Sequence, residues 1–191
     1  MRPIILIIFF LSSINLSSQD TFDEKTQKGA VFMIIEFFVK TMKDYGFESQ
    51  IKKIKVNTVI EFYDLEKELG NFAKGTIAIA NGTMDNSKTH IIIDKEMWMS
   101  LSDLEQVTTI FHEICHDVFN VKHIDWDDKY NLMHPYIQPK SIDDLVLMTS
   151  RFFRDYSEGK LEFFKPGELY IHNNSLRSKT ETFNRKIVRI N

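Results

Sequence analysis

The stretch from Ser102 to His123 constrains this chain most, because it couples the periodicity of an apolar helix to three closely spaced histidines. Ser102 with Glu105 three places on is a capping-box signal for a helix start. From there Leu104, Val107, Phe111, Ile114 and Val118 fall on one apolar stripe, while Thr109, His112 and His116 fall on a different face. One face packs and the other presents two imidazoles one turn apart, as positions four apart on a helix must. Glu113 sits beside that pair in the run His-Glu-Ile-Cys-His, residues 112–116.

These residue types at this spacing suit one divalent ion. Two neutral imidazoles bind zinc at about 2.0–2.1 Å each, and a catalytic site adds one more protein ligand and keeps a position for water. A carboxylate alongside takes that water's proton and passes it to a leaving amine. The five-residue pattern also arises in helices with no such role, so the flanks decide. Asn120 tolerates the left-handed conformation that ends a helix, and a break there returns His123 to the metal. Asp125, Asp127 and Asp144 compete with His123 for the third position. His134 or Asp125 would instead close a four-ligand structural site with no place for water. Cys115 stands at neither histidine's position and reads as buried packing; His90 opens a strand and reads as a surface residue.

Residues 112–123 resemble the metzincin family of zinc endopeptidases, whose pattern is His-Glu-x-x-His-x-x-Gly-x-x-His followed by a methionine turn. Two departures stand out: Asn120 replaces the glycine, and one extra residue separates it from His116. The step from turn residue to third histidine is kept in Asn120-Val121-Lys122-His123. Ten residues beyond, Asn131-Leu132-Met133-His134-Pro135 resembles the methionine turn. The resemblance implies that His112, His116 and His123 bind Zn2+, that Glu113 is general base and then acid, and that Met133 forms the apolar floor of the site. In some metzincins a tyrosine two places after the methionine touches metal or substrate; Tyr136 stands three places after Met133 and is carried over as a supporting residue on that resemblance alone. It further implies an α+β, zincin-like fold: N-terminal helix, twisted mixed sheet, zinc helix, methionine turn, closing helix. A peptide or protein substrate would add to the sheet edge along Thr76–Ala80.

The rest of the chain supplies those elements. Ala30, Val31, Ile34, Ile35, Phe38 and Met42 predict a helix over residues 23–45, with Gly46 as its stop. Ile54, Val56, Thr58, Ile60 and Phe62 alternate with polar residues and predict a strand over 53–62; further strands are expected at 76–80 and 90–94, joined by the turn-rich run 81–87. Ser141 with Asp144 gives a second capping box, opening a helix that ends near Gly159.

At 191 residues the chain suits one domain with a tail, and its 16 Phe predict an aromatic-rich core. Arg2, the apolar run of residues 4–11 and the serines at 12, 13, 17 and 18 follow the order of a secretory signal. The expected organisation is a signal at 1–18, a metallopeptidase domain at 19–159 and an extension of unknown role at 160–191. An uncleaved N-terminal anchor is the competing reading of the first segment. Removing residues 1–18 takes away Arg2 and no acid, so the formal charge passes from −3 to −4, which argues against a nucleic-acid partner. A secreted or periplasmic protein, free of the membrane after cleavage, is expected. Cys115 is the single cysteine, so no intramolecular disulfide can form and stability comes from packing. The alternative function is a non-catalytic secreted protein with a structural zinc site. Nothing in the sequence sets the oligomeric state.

Overall fold

Long helices form where an apolar stripe runs between explicit start and stop signals, and three such segments lie among the described residues. The computed structural model describes residues 21–56, 58–70, 75–80, 89–124, 130–135 and 139–164. Among them the element order is α1 (Glu24–Asp44), α2 (Glu48–Val56), β1 (Thr58–Tyr63), α3 (Leu65–Leu69), β2 (Ala78–Ala80), β3 (Thr89–Asp94), α4 (Lys95–Ser100), α5 (Asp103–Phe119) and α6 (Ile142–Ser157). The protein is α+β, as expected. The expected signal at 1–18 lies outside the described residues, among which no helix is long and apolar enough to cross a membrane.

Asp23 caps α1 by accepting from the Thr26 N–H at 3.1 Å. At its other end Gly46, at φ 82°, lets Phe47 N–H donate to Met42 O (2.9 Å) and Gly46 N–H to Lys43 O (3.0 Å). Those are the two bonds of a Schellman stop, which needs a left-handed residue where only glycine is free of penalty. Gly159 ends α6 in the same way, with Lys160 N–H on Asp155 O at 2.9 Å. Ser141 starts α6 by accepting from Asp144 N–H at 3.1 Å, but the Asp144 carboxylate reaches back to Lys140 N–H, so only half of the expected capping box forms.

α1, α5 and α6 meet through aromatic rings, as the phenylalanine content predicts. Phe38 lies edge-on to Phe111 with centroids 4.5 Å apart, and Phe153 stacks on Tyr45 at 4.6 Å and Phe47 at 5.0 Å. Phe119 continues the cluster to Phe152 and Tyr156 at 5.3 and 4.9 Å. Truncating one such buried ring costs about 3–5 kcal/mol.

The strand expected over 53–62 is corrected by the structure: its first half is the helix α2, and only Thr58–Tyr63 is strand. Ile54 belongs to both periodicities. The helical one wins because Ile51 and Ile54, one helical step apart, both bury against the body, and α2 packs on α1 and α5. The second half behaves as expected, with Ile60 and Phe62 buried.

The sheet is mixed, in the order β1-β3-β2. β1 runs parallel to β3 from Thr58↔Thr89 to Tyr63↔Asp94, and β2 antiparallel to it from Ala78↔Ile93 to Ala80↔Ile91. β2 is shorter than the 76–80 expected, and the turn 81–87 lies outside the described residues. Ile91, Ile92 and Ile93 are all fully buried, because both faces of the central strand are covered. Ile91 and Ile93 join the main core, while Ile92 meets Leu65 of α3. Asp94 locks this arrangement: one carboxylate oxygen accepts from Leu65 N–H (2.8 Å) and the other caps α4 through Met97 N–H (2.9 Å).

Candidate metal centre

α5 is fixed at its start by a complete capping box, with Ser102 N–H on the Glu105 carboxylate at 2.8 Å. Buried polar side chains hold its flank: Gln106 Nε2 donates to Trp98 O at 2.9 Å, and Trp98 Nε1 donates to Gln27 Oε1 of α1 at 2.9 Å. Nearer its end, the Asp117 carboxylate accepts from His90 N–H at 3.0 Å and ties the helix to β3. Asn120 terminates it at φ 57°, ψ 34°, in the left-handed conformation expected of it. The chain therefore turns back, and His123 returns to His112 and His116.

The Nε2 atoms of these three histidines converge, at 2.9 Å for His112–His123, 2.9 Å for His116–His112 and 3.1 Å for His116–His123. His112 Nδ1 lies 2.7 Å from Leu132 O and His116 Nδ1 2.6 Å from Val121 O. A carbonyl only accepts, so both Nδ1 atoms carry the proton and both Nε2 atoms keep a lone pair for a ligand. Lone pairs gathered in this way repel one another unless a cation sits among them. A tetrahedral ion at about 2.0–2.1 Å from each nitrogen would place the three roughly 3.3 Å apart, a few tenths of an ångström wider than seen here. The residues therefore fit a metal ion, and they are the described group able to hold one. His112 and His116 are buried and His123 is half-buried.

Glu113 lies beside the tripod, fully buried, and reaches the edge strand: the backbone N–H of Ala80 in β2 donates to its carboxylate. Burial pushes its pKa up to about 8, the Ala80 hydrogen bond pulls down and the Asp117 charge pushes up. Its Oε2 has no hydrogen-bond partner among the described residues. An acid kept near neutrality with one free oxygen is suited to taking and returning a proton at ordinary pH.

The segment around Met133 borders the site, with Leu132 O beside His112. Met133 is buried, and its backbone O accepts from Ile124 N–H at 3.2 Å, one residue past His123. Asn131, which sequence reasoning left without a role, organises this turn. Its Oδ1 accepts from Met133 N–H (2.9 Å), its backbone O from His134 N–H (3.1 Å), and its Nδ2 donates to Asp155 of α6 (3.2 Å). The turn so fixed aims Leu132 O at His112. An asparagine two places before a methionine is an Asx-turn signal, but the tether to Asp155 becomes visible only in the fold.

The other candidates separate cleanly. Asp144 is occupied at the start of α6, and His134 is buried outside the tripod. Asp125, Asp127 and Tyr136 lie outside the described residues. Cys115 is buried, as expected of packing, with its thiol pKa pushed well up by burial. His90, half-buried, pairs with Glu61 at 2.6 Å and takes no part in the tripod.

No protein-family model matches this chain, and no curated protein or solved structure matches it significantly, so its chemistry must be read from the site itself.

Proposed function

We propose that this protein is a zinc endopeptidase of metzincin type, exported from the cell, that hydrolyses peptide bonds within a polypeptide substrate. The observation that carries the proposal is the convergence of three Nε2 atoms at 2.9–3.1 Å with the buried carboxyl of Glu113, its Oε2 unpartnered among the described residues, alongside. His112, His116 and His123 would hold the ion. When bound, zinc polarises the scissile carbonyl and lowers the pKa of a water to about 7.

The remaining steps belong to the protein's own groups. Leu132 O and Val121 O orient His112 and His116 and fix their tautomers. Glu113 takes the proton of the attacking water at its unpartnered Oε2 and delivers it to the leaving amine. Among the described residues β2 is the edge of the sheet, and it touches Glu113 through Ala80, so an extended substrate pairing with that edge would run past the acid. Support comes also from the order of helix, mixed sheet, metal helix, methionine segment and closing helix.

The test is metal content together with cleavage of a mixed peptide library, on the protein and its Glu113→Gln variant. One zinc per chain in both, with cleavage lowered about 10²–10⁴-fold in the variant, supports the proposal. Zinc in both and cleavage by neither would transfer the site to a structural role.

A further inference from the structure

Residues 161–164, the start of the segment grouped above with a C-terminal extension, lie across the connection that carries the third histidine. Phe164 N–H donates to Asn120 O at 3.0 Å, and Lys122 N–H donates to Glu162 O at 2.8 Å. Between these bonds Val121 and Phe163 face each other as an antiparallel bridge. The Asn120 side chain adds a third bond, its Nδ2 donating to Phe164 O at 3.0 Å.

The side chains close the same junction. The Phe164 ring lies 6.1 Å from the His116 ring, with the Lys122 ammonium 5.8 Å from its centroid. Phe163 packs on Tyr156 of α6 at 5.7 Å, and Leu161 is buried in the main core. The segment is thus anchored on the closing helix and paired with residues 120–122. Those residues matter twice to the site: Val121 O orients His116, and His123 follows directly.

We infer that residues 161–164 are a clasp for the metal centre, with Asn120 and Phe164 as positioning residues that hold His123 and the Val121 carbonyl in place. The inference rests on the three-histidine site holding a metal, not on peptide hydrolysis. It also explains what an asparagine gains over glycine at the helix end. Both adopt the left-handed conformation there, but only asparagine can bond the clasp.

Asn120→Gly keeps the backbone and removes one clasp bond, Asn120→Asp sets a carboxylate against Phe164 O, and Phe164→Ala removes the ring. Glu162→Ala is the control, because Glu162 contributes through its backbone and its side chain is exposed. The full chain and these variants are loaded with Zn2+ and with Co2+. Release of zinc to a chromophoric chelator and the visible absorption of the cobalt form are recorded well below the melting temperature of each variant.

The expected result is zinc release about tenfold faster in Asn120→Gly and Phe164→Ala, the scale of losses from groups behind metal ligands. Asn120→Asp should be faster still, the cobalt bands should shift, and Glu162→Ala should match the parent. A parent that binds metal with variants that release it at the parent rate overturns the clasp alone. A parent that binds no metal overturns the clasp and the metal site together. Should Phe164→Ala fail to fold, Asn120→Gly decides.

Discussion

His112 and His116 stand on a helix whose own geometry sets their spacing, whereas His123 stands on a connection held by segments distant in sequence. The first pair needs only that α5 form, and α5 carries its own cap, its own apolar stripe and its own left-handed stop. The third ligand needs the methionine segment, through Ile124 and Met133, and the pairing of Asn120–Lys122 with Glu162–Phe164. Local ligands are cheap to order and distant ones are not, because each long connection must first be closed. The tripod therefore has a stiff side and a dependent side.

Replacing one ligand on each side should separate the two most sharply. Zinc binding of about 10–16 kcal/mol shared by three or four ligands implies that either His112→Ala or His123→Ala weakens binding on the order of a thousandfold. Their metal-free forms should differ. His112→Ala also empties a buried site and leaves Leu132 O without its donor, at a cost of about 2–4 kcal/mol in chemical unfolding. His123→Ala, at a half-buried position, should change unfolding by less than about 1 kcal/mol. Equal stability losses would mean that the two sides are not differently built.

Glu113 sharpens the comparison through pH. In the metal-free fold its carboxyl holds its proton up to about 8, while in the unfolded chain it ionises from about 4.3 upward. Stability from this group is full below the lower value, falls as pH rises between the two and is flat above the upper one. The loss is on the order of 5 kcal/mol at most, at about 1.4 kcal/mol for each pH unit between the two titrations. Glu113→Gln should lack this slope, so metal-free variant and parent should diverge in thermal melts from pH 5 to 8, the variant being more stable at the alkaline end.

Asn131→Ala tests the dependent side from below. It removes the bonds to Met133 and Asp155 from a buried position, at about 2 kcal/mol in stability, and should weaken metal binding about tenfold by loosening Met133, whose carbonyl holds Ile124 next to His123. Cys115 should give the smallest signal. Its buried, proton-holding thiol should resist thiol reagents in the native protein and react only at the rate of unfolding.

The same division explains what could be read from the sequence. α1, α5 and α6 were legible because each couples a 3.6-residue stripe to a cap or a glycine stop, and the His112–His116 pair came with α5. The Asn120 break and the return of His123 were legible too, since the left-handed preference of asparagine is local. α2 was misread because Ile54 satisfies both periods. α3 and α4, of 5 and 6 residues, are too short to show a period, and both hang on Asp94, whose role is apparent only once β3 lies between them. The clasp left no mark: Asn120 and Phe164 are 44 residues apart, and no pattern within one segment encodes their meeting.

The parallel pairing of β1 with β3 has a consequence for how the molecule assembles. Thr58 meets Thr89 without a hairpin between them, so this part of the sheet cannot zip from a turn. Pairings of this kind form late, after helices and nearby contacts, and they slow folding. α5 is expected to be helical, with its two histidines already one turn apart, before the sheet beneath it is complete and before residues 162–164 arrive at residues 120–122. A metal ion supplied during refolding should then meet two ligands early and the third last, so refolding with zinc should show a fast weak-binding phase followed by a slower tightening.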